Sequence, residues 1–251
     1  MDSLDLPRSF TIRESGHRVH NPFTEEQLAL LGRAIGLRPG MRVLDLACGS
    51  GEMLCTWSRA HGAGGTGVDI STVFLTAARA RADELGVADD VRFVHADASG
   101  FVAEEPVDVA ACIGATWIGD GVPGTLGLLR RSLRPGGLLL VGEPYWAELP
   151  PDEETARACD VPTRDTYPPL DGLLESFGPL GYDVVEMVLA EPAGWDRYIA
   201  AQWLTTRRWL DANPRDPMAP ELRAELDTAP VRHARYRRRY LGWGVFALMA
   251  R

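Results

Sequence analysis

Three acids and two glycines stand out for the chemistry their spacing allows. Asp45 ends an apolar run, Gly49 and Gly51 follow it, and Asp69 ends a second run twenty residues after Gly49. Asp97 ends a third, within "HADAS". Glycines let a chain turn tightly between strand and helix, and let a ligand approach the helix N-terminus. An acid at the end of the second strand is where a doubly wound sheet holds ribose hydroxyls. Singly, each acid also suits a turn or a helix cap, the commonest use of Asp after a strand. Jointly, the spacing points to a nucleoside ligand.

Charge selects between two such ligands. A dinucleotide brings a pyrophosphate, which Asp45 beside the turn would repel. Its G-x-G-x-x-G pattern also lacks the third glycine here, where Leu54 stands. S-adenosylmethionine (SAM) has no phosphate and carries a sulfonium and an ammonium group, which a nearby acid favours.

The elements that position these residues alternate. "MRVLDLAC", "GTGVDI", "VRFVHAD", "VDVAACIG" and "LLLVGEP" read as strands. Between them, "MLCTWSRAHG", a helix opened by Ser71 and a helix "TLGLLRRSLRPGG" closed by Pro135 and Gly136 read as crossovers. Alternation with short glycine turns predicts a parallel sheet with helices on both faces, and near-continuous apolar strands fit that burial. Upstream, Thr24 and Gln27 form a capping box for a helix running to Leu37. After Pro150 come a helix near Leu170–Leu180 and the strand "YDVVEMVLA". A mostly helical stretch of some fifty residues separates it from the last strand, "GWGVFALMA".

The stretch "VLDLACGSGEM" resembles motif I of class I SAM-dependent methyltransferases, with Ala47 where the first glycine usually stands. "GVDIS", "HADAS", "DVAACIGATW" and "LRPGGLLLVGEPYW" resemble that family's later motifs in order, over roughly residues 40 to 190. With "HNPFTEE" and "GWDRY" included, the whole chain is similar to a small bacterial group of YjhP-type methyltransferases. The resemblance implies a doubly wound, Rossmann-like seven-stranded α/β sheet with an antiparallel last strand. It implies one domain: a helical cap over residues 1–40, a SAM-binding half over 41–145, and a substrate-side half over 146–251 with a helical insertion at about 191–240. It implies SAM as cofactor, at Asp45, Ala47, Gly49, Ser50, Gly51, Asp69, Ile70, Asp97, Ala98, Ile113 and Gly114.

Methyl transfer is an in-line displacement that needs alignment and exclusion of water. A general base is required only where the nucleophile must lose a proton. Candidates are Glu143 after the fifth strand and His17 and His20 in "ESGHRVHNPFTEE", a stretch expected to lie ordered over the cofactor pocket. Each has a plainer reading as a helix cap, an ion pair or a surface histidine. Phe23, Trp117, Tyr145, Trp146 and Trp195 are candidate walls for the acceptor, although buried Trp and Tyr also serve simply as core. In the insertion, Trp195, Tyr198, Trp203 and Trp209 share one helical face, which either packs on the core or acts as a lid. "RHARYRRRY" offers a solvated basic face or an anion-binding patch or dimer contact.

Composition narrows the classes. The 251 residues are 45% hydrophobic and carry a formal net charge of −9. That balance is poor for a phosphate backbone, and no N-P-P-Y-type motif marks a flipped base, so DNA and RNA are not expected partners. Four scattered cysteines without zinc spacing read as reduced thiols, and no metal is signalled. "MDSLDLPRSF" lacks a secretory signal, and no apolar run would span a membrane, so a cytoplasmic monomer or homodimer acting on a small molecule at O, N or C is expected. The alternatives are an NAD(P)-dependent oxidoreductase and a SAM-binding protein without transfer activity.

Overall fold

A computed structural model describes residues 5–251; the first four residues of the N-terminal reading above lie outside the described residues. Seven strands, β1 (Arg42–Leu46), β2 (Gly64–Asp69), β3 (Val91–His95), β4 (Val107–Ile113), β5 (Leu133–Trp146), β6 (Tyr182–Leu189) and β7 (Leu241–Ala250), form one sheet. Their order is β3-β2-β1-β4-β5-β7-β6. The first five strands pair in parallel, and β7 runs antiparallel to both β5 and β6. This is the seven-stranded sheet with a reversed last strand that the resemblance implied.

Period two governs the core. Val43, Val109, Ala111, Leu140, Val245 and Ala247 face one layer; Leu44, Ala110, Cys112, Leu139, Val141 and Phe246 face the other. Both faces are apolar because helices cover both. The first layer holds α2 (Glu25–Ala34), α3 (Glu52–His61) and α4 (Thr72–Leu85), joined in part by Trp57, whose indole donates to the Leu28 carbonyl at 3.0 Å. The second holds α5 (Val122–Arg130) and, beyond a short α6 (Glu153–Ala158), α7 (Leu170–Phe177). The caps form as expected: Thr24 and Gln27 close a reciprocal capping box, and Ser71 accepts from the Phe74 amide.

Two local expectations are corrected. The helix before β5 ends at Arg130, short of Pro135 and Gly136. Those residues lie within β5, where pairing passes from Val107↔Leu133 to Val109↔Leu138, so the Pro-Gly pair makes a bulge. Proline is tolerated there because a bulge leaves its missing N–H without a ladder partner to satisfy. The cap also holds a helix that periodicity did not delimit, α1 (Arg8–Glu14). The insertion consists of α8 (Pro192–Ala212), α9 (Ala219–Arg232), a π-helical turn (His233–Arg237) and a last helical turn (Arg238–Tyr240).

Candidate functional site

The strand order reverses between β1 and β4, and a cavity of about 1010 Å³ opens beyond the carboxyl ends there. Doubly wound sheets bind ligands at this switch point. Every residue expected at the cofactor lines the cavity except Gly51. Gly51 starts α3 in a left-handed conformation (φ +68°), and a Cβ there would lie 2.6 Å from the Phe93 ring, so helix–strand packing demands this glycine. Gly49 (φ +54°) is demanded by close approach: its Cβ would lie 2.7 Å from Nδ1 of His20. Ala47 holds φ +62°, a region that costs a side-chain-bearing residue roughly 1–2 kcal/mol. The family's usual glycine at this place has that physical reason.

The two strand-end acids differ. Asp69 is held by backbone: Oδ2 accepts from the Gly49 amide and Oδ1 from the Ser71 amide, both at 2.8 Å. It therefore pins the glycine turn to the end of β2, a role that spacing alone did not separate from ribose binding. Each oxygen keeps a second lone pair for a ligand hydroxyl. Asp45 is 3% exposed, and its Oδ1 has no hydrogen-bond partner. Burial first, and then the Asp69 charge, push its carboxyl well above the ordinary carboxylate range. A buried, unpartnered acid oxygen at a cavity wall is stabilised by a cationic donor, and a pyrophosphate would worsen its position. Asp97 accepts from the Ser99 amide at 2.8 Å, which holds its carboxyl below the usual range.

The cap closes the cavity from above. Pro7, Phe10 and Arg13 of the α1 region and Arg18, His20 and Asn21 of the following stretch all line it. The His20 ring packs on Phe74 at 4.2 Å between centroids, and its Nε2 lies 3.0 Å from Ser50 Oγ and 3.2 Å from the His17 carbonyl. Desolvation lowers the His20 pKa, so this imidazole is neutral near pH 7. The opening stretch thus lies over the glycine turn.

Several expected site residues lie elsewhere. His17 does not line this cavity. Its Nδ1 sits 3.0 Å from Glu14 Oε2, and its ring packs on Tyr198. Glu14, 2% exposed, also accepts from the Tyr198 hydroxyl at 3.1 Å and from Gln202 at 2.8 Å. Sequence spacing offered no signal for this cluster, since its members lie 184 and 188 residues apart. Phe23 packs on Trp243 in the core instead of forming a wall. Tyr145 lies against Gly242 of β7, Trp146 donates to the Arg164 carbonyl at 2.7 Å, and Trp195 donates to the Leu241 carbonyl at 3.0 Å. The polar ends of both indoles are satisfied within the protein, the ordinary condition for burying them. Trp117 alone among the expected aromatic walls lines the cavity.

Glu143 stands behind the wall, at the end of β5. The Thr116 hydroxyl donates to its Oε2 at 2.7 Å, and desolvation pushes its pKa up to about 7. The basic segment is engaged: Arg232 and Arg237 pair with Asp160, Arg238 with Asp196 and Arg239 with Glu148. Among the described residues, no group of three His, Cys, Asp or Glu side chains is placed to hold a metal, and no helix is long and apolar enough to cross a membrane.

Comparison with known proteins agrees with this geometry. Residues 43–137 match the family described as "Methyltransferase domain". The YjhP protein of Escherichia coli is 59% identical over 99% of this chain and its own full length, and its crystal structure superposes with a TM-score of 0.96. A SAM-dependent methyltransferase of Geobacter sulfurreducens, solved with S-adenosyl-L-homocysteine, is 62% identical over 99% of this chain and all of its own, with a TM-score of 0.98. The UbiE ubiquinone/menaquinone biosynthesis C-methyltransferase of Pectobacterium atrosepticum is 34% identical over 51% of this chain and 49% of its own. With sheet, glycine turn and whole-length relatives in agreement, the chain belongs to the SAM-dependent methyltransferases, beside YjhP.

Proposed function

We propose that this chain uses the strand-end cavity to transfer a methyl group from SAM to an O, N or C nucleophile of a small molecule. The observation that carries the reading is Asp45: a buried acid with an unpartnered oxygen, in the wall of a cavity beneath a glycine turn. SAM supplies a sulfonium-activated methyl carbon and, at its amino acid end, an ammonium suited to that oxygen. Asp69 keeps lone pairs for the ribose hydroxyls while it holds the turn, and Asp97 and Ala98 lie at the end of the third strand, where the family's motif places the adenine. The cap excludes water from above. At about 1010 Å³ the cavity exceeds most small-molecule sites, typically ~300–1,000 Å³, which leaves room for an acceptor beside the cofactor.

His20 is the base this geometry favours where the acceptor must lose a proton. It is neutral, and donation from Nε2–H to the His17 carbonyl leaves Nδ1 as the accepting nitrogen over Gly49. The four cysteines are all free thiols, which suits a reducing cytoplasm, and we place the protein there as one catalytic unit.

Calorimetry with SAM, S-adenosylhomocysteine and NAD tests the site. SAM and its product bind and NAD does not; Asp45→Asn weakens SAM about tenfold or more. Unchanged affinity in that variant overturns the Asp45 assignment. With an acceptor in hand, His20→Ala lowers turnover about 10²-fold while SAM affinity holds. A fall in both together makes His20 a packing residue.

A further inference from the structure

We propose that the acceptor is an uncharged, flat aromatic molecule, and that Trp117 provides the face on which it lies; this rests on the cavity being the methyl-transfer site. Two features of the wall carry the inference. The first is the apolar part of the cavity wall. The cap contributes Leu6, Pro7 and Phe10, and the turn after β4 contributes Trp117 and Ile118. Trp117 lines the cavity yet is 67% exposed, the highest value among the exposed large hydrophobic residues. A flat ring laid on that indole gains offset-stacking contact as well as apolar burial, which a saturated body of the same size gains only in part. Trp is also the residue type most enriched where a partner is held by a few strong contacts.

The second feature is charge. The cavity has two arginines in its wall, and each already faces an acid outside it: Arg13 pairs with Glu225 at 2.7 Å and Arg18 with Glu84 at 3.5 Å. Against them stand Asp45, Asp69, Asp97 and Asp120, while Glu52 is held bidentate by Arg81. With Asp45, Asp69 and Asp97 given over to the cofactor, a carboxylate or phosphate on the acceptor would still face Asp120, and each arginine in the wall already has a partner. The same wall tolerates a neutral ring carrying a hydroxyl, an amine or an electron-rich carbon, the O, N and C nucleophiles of the proposed transfer.

The test uses this chain saturated with S-adenosylhomocysteine and three probes on one fused bicyclic carbon skeleton: 2-naphthol, 2-naphthoate and the puckered decahydro-2-naphthol. Calorimetry gives the affinities. Naphthol binds at least about tenfold tighter than either the anionic or the saturated probe. Trp117→Ala removes most of that preference and Trp117→Phe restores it, while S-adenosylhomocysteine affinity changes less than about threefold in both. Naphthoate binding as tightly as naphthol overturns the charge argument, and naphthol binding unaltered by Trp117→Ala overturns the aromatic one. Naphthol failing to bind where the cofactor product binds overturns the proposal alone. Failure of the cofactor product itself to bind overturns the site beneath it.

Discussion

The floor and the roof of the cavity are built by different means. The floor is local and made largely of backbone: Asp69 reaches Gly49 twenty residues away and Ser71 two residues away, and left-handed turns at Ala47, Gly49 and Gly51 set its shape. The roof is remote and made of side chains. Arg8 pairs with Asp216, Arg13 with Glu225, and Glu14 collects Tyr198, Gln202 and His17. α1 is joined to the insertion by charge and hydrogen bonds, and it meets the α4 side through the Phe10–Phe74 ring contact. A floor of this kind presents one ligand geometry; a roof of this kind can differ between relatives while the floor stays as it is.

The contrast can be tested by mutation. Glu14→Ala strikes the roof hardest, because three half-buried polar partners lose one buried carboxylate at once. It lowers stability by about 3 kcal/mol in chemical denaturation, and a loss under about 1 kcal/mol would show the cluster to be incidental.

Glu143 tests the floor through pH. Its folded pKa, about 7, lies above its ordinary value of 4.5. A raised acid of this kind is least costly below the ordinary value, and the cost grows as pH rises from about 4.5 through about 7. Glu143→Gln therefore matches the parent protein near pH 4.5 and is more stable by up to about 3 kcal/mol at pH 8. Equal stability at both pH values removes the buried-acid assignment. Smallest is Ala47→Gly, which relieves the left-handed strain and loosens the unfolded chain; the net is a gain of about 0.5–1 kcal/mol. A loss there would mean that the Ala47 methyl packs usefully at the cavity wall.

The same division explains what could be read without coordinates. Strand order, caps and the cofactor floor depend on residues within about one crossover of each other, and period-two burial, glycines and strand-end acids signal them directly. The aromatic walls could not be sorted, because Trp117, Trp146 and Trp195 look alike in sequence. Only the carbonyls of Arg164 and Leu241, brought to the latter two indoles by the fold, show which of the three are engaged within the protein. His17 and His20 sit three residues apart, yet one faces Glu14 and the other Ser50. That difference is set by α8, 178 residues downstream of His20, whose Tyr198 hydroxyl donates to the His20 carbonyl at 3.3 Å. Glu14 carried little signal, since Tyr198 and Gln202 lie 184 and 188 residues away and only His17 is near it in sequence.

The joining of α1 to the insertion has a consequence for how the protein comes into being. The sheet's first five strands can pair as they emerge from the ribosome, for β1 to β5 need only residues up to Trp146. The cap, made before the sheet, must wait for partners 208 and 212 residues later before it can settle. Closing loops of that length carries an entropic cost that is met only when their contacts form together. The reversed strand β7 enters between β5 and β6 only after the other six strands have been made. The nascent chain therefore holds an open cofactor floor until α8 and α9 have been made, and only then can the roof join the floor.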